Sequence, residues 1–178
     1  MEQTPQIQHR PDQPYVGVTR TVTMQTVPEI ADRLPGVVGW LLAQGVEPAG
    51  PPFLRYLAVE MDSRLVVEAG VPVATTDGLP DGDGTADDPA RPSPALGVLP
   101  GGRYAVVLHR GHPDGLERAT GELLAWAAER GLTWDADAEQ RRWGVRLESY
   151  RTDPREEHDM ERWETELAFR LADPADGS

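Results

Sequence analysis

The chain has 178 residues, 39% of them hydrophobic. That suits one sizeable domain or two small half-domains, and it is enough apolar content to bury a core rather than stay disordered. There is no cysteine, which excludes disulfides and thiolate metal sites and fits a reducing, cytoplasmic setting. With 30 acidic against 17 basic residues the net charge is −13 and no basic stripe is present, so direct nucleic-acid binding is not expected.

The N-terminal "MEQTPQIQHRPDQP" has neither a basic flank nor an apolar segment of the secretory kind. No apolar run approaches the roughly 20 residues that span a bilayer, so no membrane association is expected. Tyr15–Val22 is an apolar, β-branched run and is predicted to be a strand. A helix is predicted from near Pro28 to just before Gly45, kinked or broken by Pro35. Phe53–Glu60 and Leu65–Val73 follow as a hairpin. Residues 74–95, "ATTDGLPDGDGTADDPARPSPA", form a flexible acidic linker with little to bury.

After the turn "PGG", Arg103–His109 is a second strand. Asp114 and Glu117 resemble a capping box, and Leu116, Ala119, Leu123, Trp126 and Ala127 then recur at helical spacing until Gly131. A last hairpin pairs Trp143–Tyr150 with Trp163–Leu171, and residues 173–178 form a frayed tail.

Strand, helix, strand, strand therefore occurs twice, over about residues 7–73 and 96–172 of a single domain. Landmarks recur at near-constant spacing: Tyr15 with Tyr104, Trp40 with Trp126, Glu60 with Glu148, Glu68 with Glu166. The fold class is α+β: two β-α-β-β repeats about a pseudo-two-fold axis, antiparallel sheets with helices on one side, and a ligand groove on the other.

Strand side chains alternate between faces. Leu167, Phe169 and Leu171 define a helix-facing side, which leaves Glu166 and Ala168 on the other. Assigning Val145, Leu147, Leu57, Val59 and Val67 to the helices puts Glu60, Glu68, Glu148 and Glu166 on the open face, with Tyr56, Tyr150 and Tyr104 beside them. An ordinary solvated strand face explains such glutamates without any function. Against that, the neighbouring rings and the small residues Ala58, Gly70, Gly144 and Ala168 suit a flat-walled groove for a flat cationic ligand, and both readings stand at this point.

His109 and His112 straddle a turn without a third ligand, so ordinary polar roles are favoured over zinc. "PGGRY" lacks the Gly-Lys-Ser/Thr of a phosphate loop and precedes a strand. No serine sits in a nucleophile elbow. Trp40 and Trp126 are expected in the core. No cofactor is called for.

Several segments, taken in order, carry a resemblance: "LPGGRYAVVLHRGHPDGL", "LLAWAAERG", "LESY" before a "DP", and "TELAFRL". Over roughly residues 7–172 the chain resembles the GyrI-like small-molecule-binding domain, also the effector-binding domain of BmrR-type and Rob-type multidrug regulators. The resemblance implies two half-units with a ligand groove between them, and a buried glutamate on the last strand, here Glu166, that meets drug-like cations. Glu148 and Tyr150 match the family's penultimate-strand pair, while Arg170 stands where the family often has proline. Regulators of this kind carry a DNA-binding domain ahead of the module, so this chain is expected to be a stand-alone member.

Two functions follow as expectations. The first is a multidrug-type binding protein for flat, apolar, often cationic molecules, with Tyr56, Glu68, Tyr104, Trp143, Glu148, Tyr150 and Glu166 as the ligand-binding set. Alternation puts Trp143 on the helix side, and only a bulge near Gly144 would turn it into the groove. The second, implied by the resemblance, is a hydrolase of cyclopropanoid, DNA-alkylating natural products. There Glu166 or Glu148 would be the base, and Trp143, Tyr56, Tyr104 or Tyr150 would clamp the substrate. Inhibition of a protein partner through the acidic surface is a third possibility.

Overall fold

The structure is a computed structural model that describes residues 4–60, 64–88 and 90–173. Eight antiparallel strands form one curled sheet, in the order β1-β6-β8-β7-β3-β4-β2-β5. The first repeat is β2 (Gln13–Val22), α1 (Val27–Ala31), α2 (Leu34–Ala43), β3 (Phe53–Val59) and β4 (Leu65–Pro72). The second is β6 (Gly102–Arg110), α3 (Leu116–Glu129), β7 (Arg146–Tyr150) and β8 (Glu164–Arg170). The expected hairpins are present as β3–β4 and β7–β8, and the expected break in the first helix falls between α1 and α2.

Two strands were not foreseen. β1 (Gln6–Arg10) precedes the first repeat yet pairs with β6 of the second, and β5 (Ala95–Leu99) precedes the second yet pairs with β2 of the first. Each repeat thus lends an edge strand to the other. The repeats meet where β3 pairs with β7, with Leu54 opposite Glu148. Hydrogen-bonding register makes Leu54 the counterpart of Glu148 and Tyr56 the counterpart of Tyr150. Glu60 is therefore not the structural equivalent of Glu148. It lies beyond β3, exposed, near Arg64.

Both helical layers cover the same face of the sheet. α1 and α2 bury Ile30, Leu34, Val37 and Leu41 against Val16, Val18, Leu54, Val67 and Ala69. α3 buries Ala119, Leu123 and Ala127 against Ala105, Val107, Leu167 and Phe169, with Trp134 and Trp143 completing that core. The opposite face is apolar too: Tyr15, Phe53, Leu99, Tyr104, Val106, Val145, Leu147 and Ala168 form a third cluster. When both faces are buried, alternation no longer tells which face the helices take.

Two face assignments change for this reason. Leu147 pairs with Ala168 and belongs to the helix-free face, so Arg146, Glu148 and Tyr150 turn toward the helices. In β3 the register shifts between Tyr56 and Ala58, a bulge that inverts the alternation. Tyr56, opposite Val67, consequently joins the helix side, while Glu68 stays on the helix-free face.

The segment between the repeats, expected to be flexible from its Gly, Pro and Asp content, is anchored to the first repeat at Thr85 and Ala86. Thr85 bridges Thr19, Ala86 is buried in the first core, and its carbonyl accepts from Arg33 Nε at 3.0 Å. α3 starts after a short 3-10 turn at Pro113–Gly115. Its entry is capped by the His112 ring, which accepts from the Asp114 N–H at 3.1 Å, rather than by an Asp114–Glu117 box. His109 packs beneath this turn with Nε2 3.1 Å from the His112 carbonyl, so both histidines serve the helix entry. The expected frayed tail falls largely on residues 174–178, outside the described residues. Among those described, no helix is long and apolar enough to cross a membrane.

Candidate functional site

On the helix-free face Glu166 is buried and ion-paired twice, to Arg10 at 2.7 Å and to Arg151. Glu68, its counterpart in the first repeat, accepts from the Tyr15 hydroxyl at 2.7 Å and lies 3.7 Å from Arg55. Burial pushes the Glu68 carboxyl up, against the pull of Tyr15 and Arg55. Tyr104 shares this face, opposite Arg170 in register, with its hydroxyl donating to the Pro100 carbonyl. Arg170 is itself held by Asp135 at 3.1 Å and by the Gly101 carbonyl. These are closed, charge-compensated networks.

The expected openings at small residues are filled. A Cβ on Gly70 would stand 2.4 Å from the Phe53 ring, and one on Gly144 would stand 2.0 Å from the Asp135 carboxylate.

Glu148 is placed differently. Its cross-strand neighbours are Leu54, in the α1–α2 core, and Leu167, in the α3 core. It therefore stands at the seam of the repeats, between the two helical layers, and is only half-buried. The Tyr150 hydroxyl donates to its Oε2 at 3.0 Å, and Tyr56 lies near enough to favour its charged form as well. Burial pushes Glu148 above the usual carboxylate range, outweighing the two tyrosines and the nearby Arg146 charge. Burial likewise pushes both tyrosines well up, so they remain donors at any ordinary pH.

Arg146 completes the group. Its guanidinium carbon lies 4.9 Å from the Phe169 ring centroid, 5.0 Å from Trp143 and 5.9 Å from Tyr56, all within cation–π range. Carboxyl, two hydroxyls and flat apolar walls converge here, which is the make-up of a small-molecule site.

A crevice of about 1730 Å³ meets this group at Tyr150 alone; Tyr56, Trp143, Arg146 and Glu148 are not among its lining residues. It runs from Arg10, Tyr104 and Glu166, past Ser149 and Tyr150, to Val38 on α2. That exceeds the roughly 300–1,000 Å³ of ordinary ligand pockets.

Of the residues singled out in the sequence, Tyr56, Glu148 and Tyr150 come together on the helix side, with the Trp143 ring behind Arg146. Glu68, Tyr104 and Glu166 come together on the other face. Tyr150 and Glu166 both line the crevice, whereas the two sets do not share one wall. The sequence reading missed the arginines Arg10, Arg55, Arg146 and Arg151. Arg55, set inside the apolar run "FLRYLAV", carried a signal, because an arginine mid-strand among buried residues needs a partner. Arg10 carried none, since β1 joins its strand only through the exchanged pairing.

Eight curled antiparallel strands, two helical layers and a polar–aromatic seam define a small-molecule-binding module. The chain belongs to the GyrI-like family: the model of the GyrI-like small molecule binding domain matches residues 3–172. No curated protein matches the sequence. Among solved structures, EcmrR in its DNA complex is similar at 17% identity and TM-score 0.73, over 97% of this chain and 58% of that one. This chain thus spans little more than half the length of EcmrR. SAV2435 bound to tetraphenylphosphonium is similar at 15% identity and TM-score 0.62, over 96% of this chain and 94% of that one. A hydrolase from Listeria innocua is similar at 15% identity and TM-score 0.57, covering 94% and 91%. At these identities the likeness is one of fold.

Proposed function

We propose that this protein binds flat, apolar small molecules at the seam between its repeats, with Tyr56 and Tyr150 as walls and Glu148 as the polar contact. The single observation that carries the reading is the half-buried Glu148, which accepts from the Tyr150 hydroxyl and lies beside Tyr56 and Arg146 between the two helical cores. A carboxyl in this state can donate to a neutral ligand or accept from a charged one. The large crevice touches this group at Tyr150. The ligand-bound neighbour SAV2435 supports the class of ligand site, not its occupant. Tyr104 and Glu166 then serve as walls of the crevice, and Glu68, held by Tyr15 and Arg55, as internal bracing of the sheet. The test is titration with flat aromatic dyes. Wild type should bind at tens of micromolar or better, and Tyr150→Ala should weaken this about tenfold, as loss of one aromatic anchor does. Absence of binding by wild type would refute the reading.

One observation favours a second reading, hydrolysis of a cyclopropanoid alkylator in the same cleft. A carboxyl that burial raises above its ordinary value is a stronger base once ionised, as general-base work requires. Glu148 would take a proton from water as the water oxygen bonds to the strained ring carbon. The ring C–C bond would open, with its electrons passing into the conjugated carbonyl. Mass analysis should find a water adduct formed faster with wild type than with Glu148→Gln. Equal rates with and without protein would exclude it.

A further inference from the structure

Each of the four carboxylates singled out in the sequence already has an arginine beside it. Glu166 has Arg10 and Arg151, Glu68 has Arg55, and Glu60 has Arg64. Glu148 has Arg146, two residues along the same strand and coupled to it by charge. A carboxylate already offset by a built-in arginine attracts an incoming cation less than a bare one does. Here the positive charge is built in.

Arg146 is also seated as a ligand cation would be. Its guanidinium faces Phe169 at 4.9 Å, Trp143 at 5.0 Å and Tyr56 at 5.9 Å, with the Glu148 carboxyl as the fourth element. Aromatic faces plus one acid are the usual cage for a flat or quaternary cation. Arginine fits such a cage well, because its guanidinium is planar, weakly hydrated and stacks on rings. An incoming cation would meet a like charge and would have to displace it. A neutral ring meets no such penalty.

We propose that Arg146 is the charge selector of the cleft: it occupies the cation seat, so the protein favours uncharged flat molecules over their cationic counterparts. The inference rests on the seam being the ligand site, as proposed above.

The test uses one matched pair, acridine at mildly alkaline pH, where it is neutral, and N-methylacridinium, which is permanently cationic. Both are titrated by fluorescence into wild type, Arg146→Met and Arg146→Lys. Wild type should bind acridine about tenfold or more tightly than N-methylacridinium, a difference of about 1.4 kcal/mol. Arg146→Met should gain about tenfold for the cation while its acridine affinity moves less than about threefold. Arg146→Lys should keep the wild-type preference. If wild type binds the cation as well as acridine, or if Arg146→Met shifts both ligands equally, the selector role is wrong and the cleft stands. If neither ring binds wild type, the cleft itself is wrong. Should Arg146→Met fail to fold, the wild-type preference and its retention in Arg146→Lys still decide.

Discussion

Arg10 on β1 donates to Glu166 on β8 at 2.7 Å across 156 residues of chain. That ion pair ties an edge strand, exchanged between the repeats, to the buried centre of the second one. Arg10 is 28% exposed, and Arg151 also holds Glu166, so the pair is neither free in solvent nor the sole compensation. Removing one partner of a buried pair costs about 3–5 kcal/mol, while exposed pairs contribute about 0–1. Arg10→Ala should therefore cost about 1–2 kcal/mol in urea unfolding. It should also speed amide exchange in Gln6–Arg10 more than in β4. No change in either measurement would mean that β1 is held by backbone pairing alone.

Tyr15 links Arg55 to Glu68: its hydroxyl accepts from Arg55 at 2.8 Å and donates to Glu68 at 2.7 Å. Tyr15→Phe removes both bonds at a buried site. A cost of about 2 kcal/mol is expected, the size of leaving buried polar groups unsatisfied. Thermal or urea unfolding of the variant reads it directly.

Gly70 admits the Phe53 ring, whose nearest carbon would stand 2.4 Å from an added Cβ. Gly70→Ala should destabilise by about 2 kcal/mol through overpacking. The double variant Gly70→Ala with Phe53→Leu should recover part of that loss. If the single variant is neutral, the ring has room that the packing does not indicate.

Glu148 gives a pH signature of definite sign. Its folded-state value is raised by burial above the ordinary carboxyl value of 4.5. The folded protein therefore holds this proton more tightly than the unfolded chain does. The corresponding stabilisation is complete below the ordinary value and is lost as pH rises through the raised one. Wild type should lose stability relative to Glu148→Gln as pH climbs from acid toward neutral. Parallel melting curves for the two proteins across that window would show that Glu148 is solvated normally.

Much of this architecture was legible in the sequence. Periodicity gave α3, turn residues gave both hairpins, and Pro35 announced the broken first helix. The paired landmarks gave the repeat. The faces were not legible, for a physical reason. Val145 and Leu147 are apolar because the helix-free face has a core of its own, so apolar character no longer marked the helix side. The bulge after Tyr56 then reversed the alternation in β3 with no glycine or proline to announce it. The arginine partners were illegible for another reason. Arg10 and Arg151 reach Glu166 only through exchanged edge strands and a loop, contacts that no local pattern encodes.

The central claim is that ligands enter at the seam, against Tyr56, Tyr150 and Glu148. It is tested most directly by determining the structure of the protein with acridine bound. The account predicts a ring stacked in the cleft within contact of both tyrosines, with the Glu148 carboxyl facing its nitrogen. A ring seated instead on the helix-free face, against Tyr104 and Glu166, would contradict it.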